Sequence, residues 1–274
     1  VGPALRVAYR GKTAWSYYRR PAREMIRWLL QSRELTNFTY DLEYHNKQYL
    51  ASFVAEIAEL PYERAKAYIE EIEQDKALRD HIAARVSQSK LAYMADKEVR
   101  YGRRVGWYAL VRALRPKTVV ETGVDKGLGA CVLTAALKRN AQDGYPGRYT
   151  GIDIDPAAGY LLAGEYAKYG SICYGDSLES LAKLESQIDC FINDSDHSAD
   201  YEAAEYRAIK DALGEAAVII GDNAHYTTKL FEFSLETQRR FAFFQEKPRN
   251  HWYPGGGIGV AFGRAVKTED RNAV

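Results

Sequence analysis

Residues 118–129 read T-V-V-E-T-G-V-D-K-G-L-G. A short β-branched strand enters a turn where Gly123, Gly127 and Gly129 follow the spacing G-x-x-x-G-x-G, and such a turn lets the backbone close in on a ligand. A second strand, Y-T-G-I-D-I-D at 149–155, then ends in acid. A dinucleotide would need a helix N-terminus facing its pyrophosphate, usually through G-x-G-x-x-G. Here an acid, Glu121, lies inside the turn, where its carboxylate would repel a pyrophosphate. It suits instead the ammonium or sulfonium surroundings of S-adenosylmethionine, while Asp153 is placed to accept both ribose hydroxyls. The plainer reading takes the glycines as a strand-to-helix turn and the acids as solvated caps. The acidic strand ends further along the chain favour the cofactor.

The 274 residues carry a net charge of +1, so no global field favours nucleic acid or acidic lipid. No apolar run approaches the ~20 residues of a membrane span, and no signal-like core follows the N-terminus. The expectation is a cytoplasmic protein without a nucleic-acid partner. Cys131, Cys173 and Cys190 are three in number, widely spaced in apolar patterns, and suit reduced buried thiols better than disulfides or zinc.

Charge is uneven along the chain. Residues 1–33 hold eight Lys or Arg against one acid, Glu24, with Trp15, Tyr17, Tyr18 and Trp28 interleaved. Such an arm suits a solvated or packing helix better than nucleic-acid binding; an anionic surface or another subunit are its other candidate partners. Residues 46–88 have helical periodicity, with Pro61 between two helices. We divide the chain into an arm and helical lobe or lid over 1–97 and an α/β domain over 98–274. Strands are expected near 118–122, 149–153, 171–174, 188–193, 217–221, 240–245 and 258–263, and helices over 127–139, 156–168, 178–185, 199–213 and 226–238.

In an open α/β sheet, ligands bind beyond the carboxyl ends of the strands. The fourth strand ends in F-I-N-D-S-D-H at 191–197 and the fifth in I-G-D-N-A-H at 220–225. If these strands are neighbours, Asp194, Asp222 and Asn223 form an oxygen-rich partial shell that suits Mg²⁺ rather than zinc. Singly, each is also an ordinary cap or turn residue, and His197 an ordinary surface histidine.

These motifs together resemble class I S-adenosylmethionine-dependent methyltransferases: E-T-G-V-D-K-G-L-G at 121–129, G-I-D-I-D-P at 151–156, G-D-S at 175–177, N-D-S-D-H-S at 193–198 and G-D-N at 221–223. More narrowly, the chain resembles the metal-dependent O-methyltransferases that tailor sugars and natural products, which carry a D-x-D-H-S type fourth-strand motif. The resemblance covers roughly 98–263. It implies a Rossmann-like, seven-stranded, mostly parallel sheet with an antiparallel last strand. It also implies that Glu121, Gly123 and Gly127 shape the cofactor pocket, that Asp153 holds the ribose, that Asp176 sits by the adenine, and that Asp194 borders the cofactor. Mg²⁺ would be held by Asp194, Asp222 and Asn223. The base would be Asp196 or His197, and His197 is favoured because an imidazole titrates near about 6.5 and a carboxylate near about 3.9. The chain departs from the pattern where Ser195 replaces a glycine and Asn193 an apolar residue.

The resulting expectation is O-methylation of a small-molecule or saccharide hydroxyl. The tyrosines and His251-Trp252-Tyr253 would form a substrate wall or else pack in a core or dimer contact, and a homodimer is compatible with the sequence. A metal-independent N-methyltransferase, a nicotinamide dehydrogenase and a non-catalytic protein docking through its basic arm are the alternatives.

Overall fold

The computed structural model describes residues 2–35, 39–184, 186–222 and 224–264. Helix α1 (Pro3–Gln31) comes first, and of its residues only Glu24 is buried. Then follow α2 (Tyr44–Ile57), α3 (Tyr62–Gln74) and α4 (Lys76–Gln88). Pro61 stands at the N-cap of α3, and the Asp75 carboxylate caps α4 by accepting from the Leu78 N–H at 2.9 Å. Leu50, Val54, Ile69, Ile72, Leu78 and Ile82 carry the apolar faces of α2–α4 into the same core as the sheet. Helix α5 (Arg104–Leu114) lies against them and stops at Arg115, whose left-handed φ of 52° releases the chain toward β1.

Strand β1 (Thr118–Thr122) leads into α6 (Leu128–Gln142), β2 (Arg148–Asp153), β3 (Gly170–Tyr174), α7 (Ser177–Leu181) and β4 (Ile188–Asn193). The chain continues through α8 (Ala199–Ile209), β5 (Leu213–Gly221), α9 (Lys229–Glu236), β6 (Arg239–Gln245) and β7 (Gly257–Arg264). The seven strands form one sheet in the order β3-β2-β1-β4-β5-β7-β6. The first five are parallel, and β7 is inserted antiparallel to both β5 and β6. Val119, Val120, Phe191, Ile192, Ile219 and Ile220 in its centre are fully buried, as a parallel sheet covered on both faces requires. Strand order reverses at β1, which has β2 on one side and β4 on the other. That switch point opens a crevice at the strands' carboxyl ends.

Two local readings are corrected. No α-helix forms over 156–168, where the helical structure is limited to a 3-10 turn at Tyr166–Lys168: Gly159 (φ +73°) and Gly164 (φ +58°) are left-handed, and the Gly159 and Leu161 N–H groups donate to the carbonyls of Asp125 and Lys126 at 2.6 and 3.1 Å. The segment hydrogen-bonds to the glycine turn and makes only isolated turns of its own. Among the cysteines, Cys131 and Cys190 are buried but Cys173 is exposed on β3, the sheet's edge strand.

Gly123 holds φ +82°, and a Cβ there would collide with the Asp194 carbonyl, so only glycine lets the β1 turn approach the end of β4. Gly123→Ala is expected to cost about 3 kcal/mol or more, read as a lower urea midpoint at unchanged slope.

Candidate active site

The crevice holds a cleft of about 540 Å³ lined by Gly123, Asp153, Asp155, Asp176, Asp194, Asp196 and Tyr201, among others. Past Gly123, Asp125 and Asp194 lies a smaller cavity of about 200 Å³, bordered also by Arg103, Arg104, Glu121, His197 and Asp222. The structure thus separates the two base candidates. Asp196 borders the larger cleft and His197 the smaller cavity.

Asp153 ends β2. Its Oδ2 accepts the N–H groups of Val124 and Asp125 at 2.8 and 2.9 Å, and its Oδ1 accepts that of Asp155 at 2.8 Å. A carboxylate offers about four acceptor positions, so one remains for a ribose hydroxyl rather than the pair expected. Asp155 also borders the cleft and offers a second carboxylate. Asp176 caps α7, accepting from the Glu179 N–H, and accepts from the Tyr201 hydroxyl at 3.1 Å. Gly127, at φ +94°, forms the N-cap of α6 and lies backbone to backbone with Gly159, shaping the turn from behind.

Glu121 lies within β1, behind the turn rather than in it. It is fully buried, accepts from the Tyr149 hydroxyl at 2.5 Å, and packs under Gly129. Burial pushes its carboxyl up to about 8, with the Tyr149 bond and Arg104 opposing.

Asp194 and Asp222 do converge from the ends of β4 and β5. Arg103 meets them: its Nε donates to Asp222 Oδ1 at 2.6 Å, its Nη2 to Oδ2, and its Nη1 to Glu246 Oε1 at 2.9 Å. Arg104 Nη2 stands 3.4 Å from Asp194 Oδ2. Burial would raise the Asp222 carboxyl, but Arg103 outweighs it and holds the group at about 2. Burial and the adjacent Asp222 charge push Asp194 well above the usual carboxylate range, consistent with a protonated Asp194 bonded to an ionised Asp222. A fork-on-fork guanidinium occupies the Asp222 oxygens that a divalent ion would need. Among the described residues no three His, Cys, Asp or Glu side chains form a metal cluster, and Asn223 lies outside those residues. As arranged, Asp194 and Asp222 do not fit Mg²⁺.

Three residues that matter here were not singled out from sequence. Arg103 and Arg104 fall at the N-cap and first residue of α5, where a cation opposes the helix dipole; that local misfit was their signal. The third is Glu205 of α8, fully buried. Thr122 and Ser195 donate to it at 3.0 and 2.7 Å, and Ser177 and Asn193 also donate. Both departures from the family pattern, Asn193 and Ser195, are therefore donors to one carboxylate. Counting back from Tyr206 and Ile209, the inward face of α8 falls on Glu202 and Glu205, acids where apolar residues belong.

His251, Trp252 and Tyr253 pack against other aromatic side chains, one of the two placements open from sequence. Trp252 meets Trp28 edge-on at 5.5 Å, and His251 and Tyr253 lie 5.4 and 5.9 Å from Tyr40. Glu246 anchors the adjoining glycine run, accepting from the Gly256 N–H at 2.7 Å and the Tyr40 hydroxyl at 2.7 Å.

Two variants probe these carboxyls. Glu121 binds its proton more tightly folded than unfolded, so its contribution falls as pH rises from about 4.5 through about 8. Glu121→Gln should match wild type in thermal stability near pH 4.5 and exceed it at pH 8–9, by about 2–4 kcal/mol. Glu205→Ala strands four donors and should cost about 2–4 kcal/mol in urea unfolding.

Residues 120–224 match the family model of a methyltransferase domain. No curated protein matches the sequence. An O-methyltransferase from Bacillus cereus, in complex with SAH, aligns over 72% of this chain and 96% of its own at 15% identity, with a TM-score of 0.55. The O-methyltransferase TomG from Streptomyces achromogenes, involved in tomaymycin synthesis and in complex with SAM, aligns over 70% and 91% at 17% identity, with a TM-score of 0.52. Strand order, glycine turn and family match agree: residues 120–224 match a methyltransferase domain, and the chain has the Rossmann-like methyltransferase fold.

Proposed function

We propose that this protein transfers a methyl group from S-adenosylmethionine to a hydroxyl oxygen of a small molecule, a sugar or glycosylated natural product being the first class to test. The observation that carries it is the pair of joined cavities. The larger has the volume of a nucleoside-sized ligand and carboxylates at the ends of β2 and β3, and the smaller adjoins it through Gly123 and Asp194. When bound, the cofactor supplies an electrophilic methyl on a sulfonium. Asp153, with Asp155, takes the ribose hydroxyls, and Asp176 stands on the adenine side. Glu121 faces the smaller cavity, where it balances the methionyl ammonium. His197 takes the proton of the acceptor hydroxyl, because it borders the cavity holding the charged groups while Asp196 borders the cleft. The resulting alkoxide develops negative charge beside Arg103 and Arg104, fixed cations in a site of low dielectric. That assigns to guanidinium the electrostatic task for which the sequence suggested magnesium.

Calorimetric titration of S-adenosylmethionine with and without EDTA, followed by a methylation assay on a panel of alcohols and diols, tests the reading. Binding and turnover should survive EDTA. Asp153→Ala should weaken cofactor binding at least about tenfold, while His197→Ala should spare binding and lower kcat about 10²–10⁴-fold. With Glu121 raised to about 8, cofactor affinity should increase from pH 6 to 8 with release of a proton. Absence of cofactor binding would sink the reading; methylation of amines alone would turn it to N-methyl transfer; loss of turnover in EDTA would return the acids to a metal.

A further inference from the structure

The two arginines that open α5 are placed differently. Arg103 has its donors taken: Nε and Nη2 grip the two oxygens of Asp222, and Nη1 donates to Glu246 Oε1 at 2.9 Å. Arg104 is left open along the same edge. Its Nε is buried with no acceptor among the described residues, and its Nη2 meets Asp194 Oδ2 only at 3.4 Å, beyond the about 2.7–2.9 Å of a well-made charge-assisted bond. The guanidinium lies over the Trp107 ring, 5.1 Å from its centroid, which holds it in place without occupying an N–H. A buried charged donor is costly to leave without an acceptor, and a cation at a helix start is opposed by the helix dipole. An anion at this edge would remove both penalties.

The neighbours define that anion. The Nε–Nη2 edge of a guanidinium matches the two oxygens of a carboxylate, as Arg103 on Asp222 shows one residue away. Arg104 and Glu121 border the same cavity of about 200 Å³ and feel each other's charge, yet Glu121 hydrogen-bonds to Tyr149 and forms no ion pair with Arg104 among the described residues. An acid and a cation held apart in one cavity complement an α-amino-acid zwitterion, with ammonium toward Glu121 and carboxylate toward Arg104. Arg104 also borders, with Lys126, a narrow pocket of about 90 Å³ lined by Ile82, Val86, Val99, Leu128 and Leu161 among others. That pocket offers a second route by which a carboxylate on a slim apolar body reaches the same edge.

We propose that Arg104 binds a carboxylate through its Nε–Nη2 edge, either that of the cofactor's amino-acid end or that of an acidic acceptor reaching in from the narrow pocket. The proposal rests on the methyl-transfer reading for the identity of the cofactor. It gives Arg104 a task in binding, in addition to its place beside the developing alkoxide. The two tasks differ in what they move: a carboxylate partner sets affinity, whereas a charge beside the alkoxide alone sets kcat.

Calorimetry of the full chain with paired ligands tests this. The first pair is S-adenosylmethionine and its decarboxylated form, which keeps the ribose, sulfonium and ammonium. Arg104→Met should weaken S-adenosylmethionine about 10–100-fold and the decarboxylated form by less than about threefold. The second pair is benzoate and benzamide, titrated into protein saturated with S-adenosylhomocysteine. A loss confined to benzoate would support the proposal with the acceptor as the source, and a loss confined to S-adenosylmethionine would support it with the cofactor as the source. The retained member of each pair shows that the variant is folded; Arg104→Lys, which keeps the charge without the fork, serves where the Met variant does not fold. Equal losses within both pairs, no loss in either, or a fall in kcat with all affinities intact would overturn the proposal. Wild-type protein that binds neither form of the cofactor would sink the methyl-transfer reading itself, and the proposal with it.

Discussion

One buried carboxylate holds the rim of the cleft together. Glu205 receives donors from the end of β1, the start of α7, the last residue of β4 and the loop that follows. Parallel strands end without a shared turn, so the loops beyond them have no ladder to set their positions. Four donors converging on one side chain supply what the ladder cannot. Burial raises the Glu205 carboxyl, and the Ser177, Ser195 and Thr122 hydroxyls offset part of that rise. Asp194 and Asp196 are carried on the loop that Glu205 secures.

The second constraint is charge. Asp194, Asp222, Glu121 and Glu246 meet in a region largely closed to water, and carboxylates there would repel strongly at low dielectric. Arg103 resolves this by bridging Asp222 to Glu246, which links β5 to the end of β6 through the N-terminus of α5. Because Glu246 also takes the Tyr40 hydroxyl and the Gly256 N–H, the Y-P-G-G-G run is held as a structured entry into β7 rather than a slack loop. The helical region and the sheet are thus joined by polar bonds at the site as well as by a common apolar core.

The glycine turn, the acidic end of β2 and the alternation of strands were legible because each rests on local chemistry: a left-handed backbone at Gly123, β-branched runs, a helix after a turn. Local propensity misled over one segment. Residues 156–168 have helical composition, but their N–H groups are drawn to the carbonyls of Asp125 and Lys126. For His251, Trp252 and Tyr253 the sequence left a ligand wall and core packing both open, and they pack on Trp28 and Tyr40. Glu205 and Arg103 were visible only as misfits, an acid on an inward helix face and a cation at a helix start. A misfit shows that something compensates it without saying what.

By itself the sequence determined the α/β alternation, the glycine turn after the first strand and the strand-end acids, since these follow from periodicity and from glycine's access to positive φ. Only the tertiary structure decided what the acids face. Asp222 lies 119 residues from the arginine that clamps it, and Ser195, Asn193, Ser177 and Thr122 reach Glu205 from three separate stretches of chain. Electrostatic pairing depends on distance in space, and separation along the chain carries no record of it until the sheet has closed.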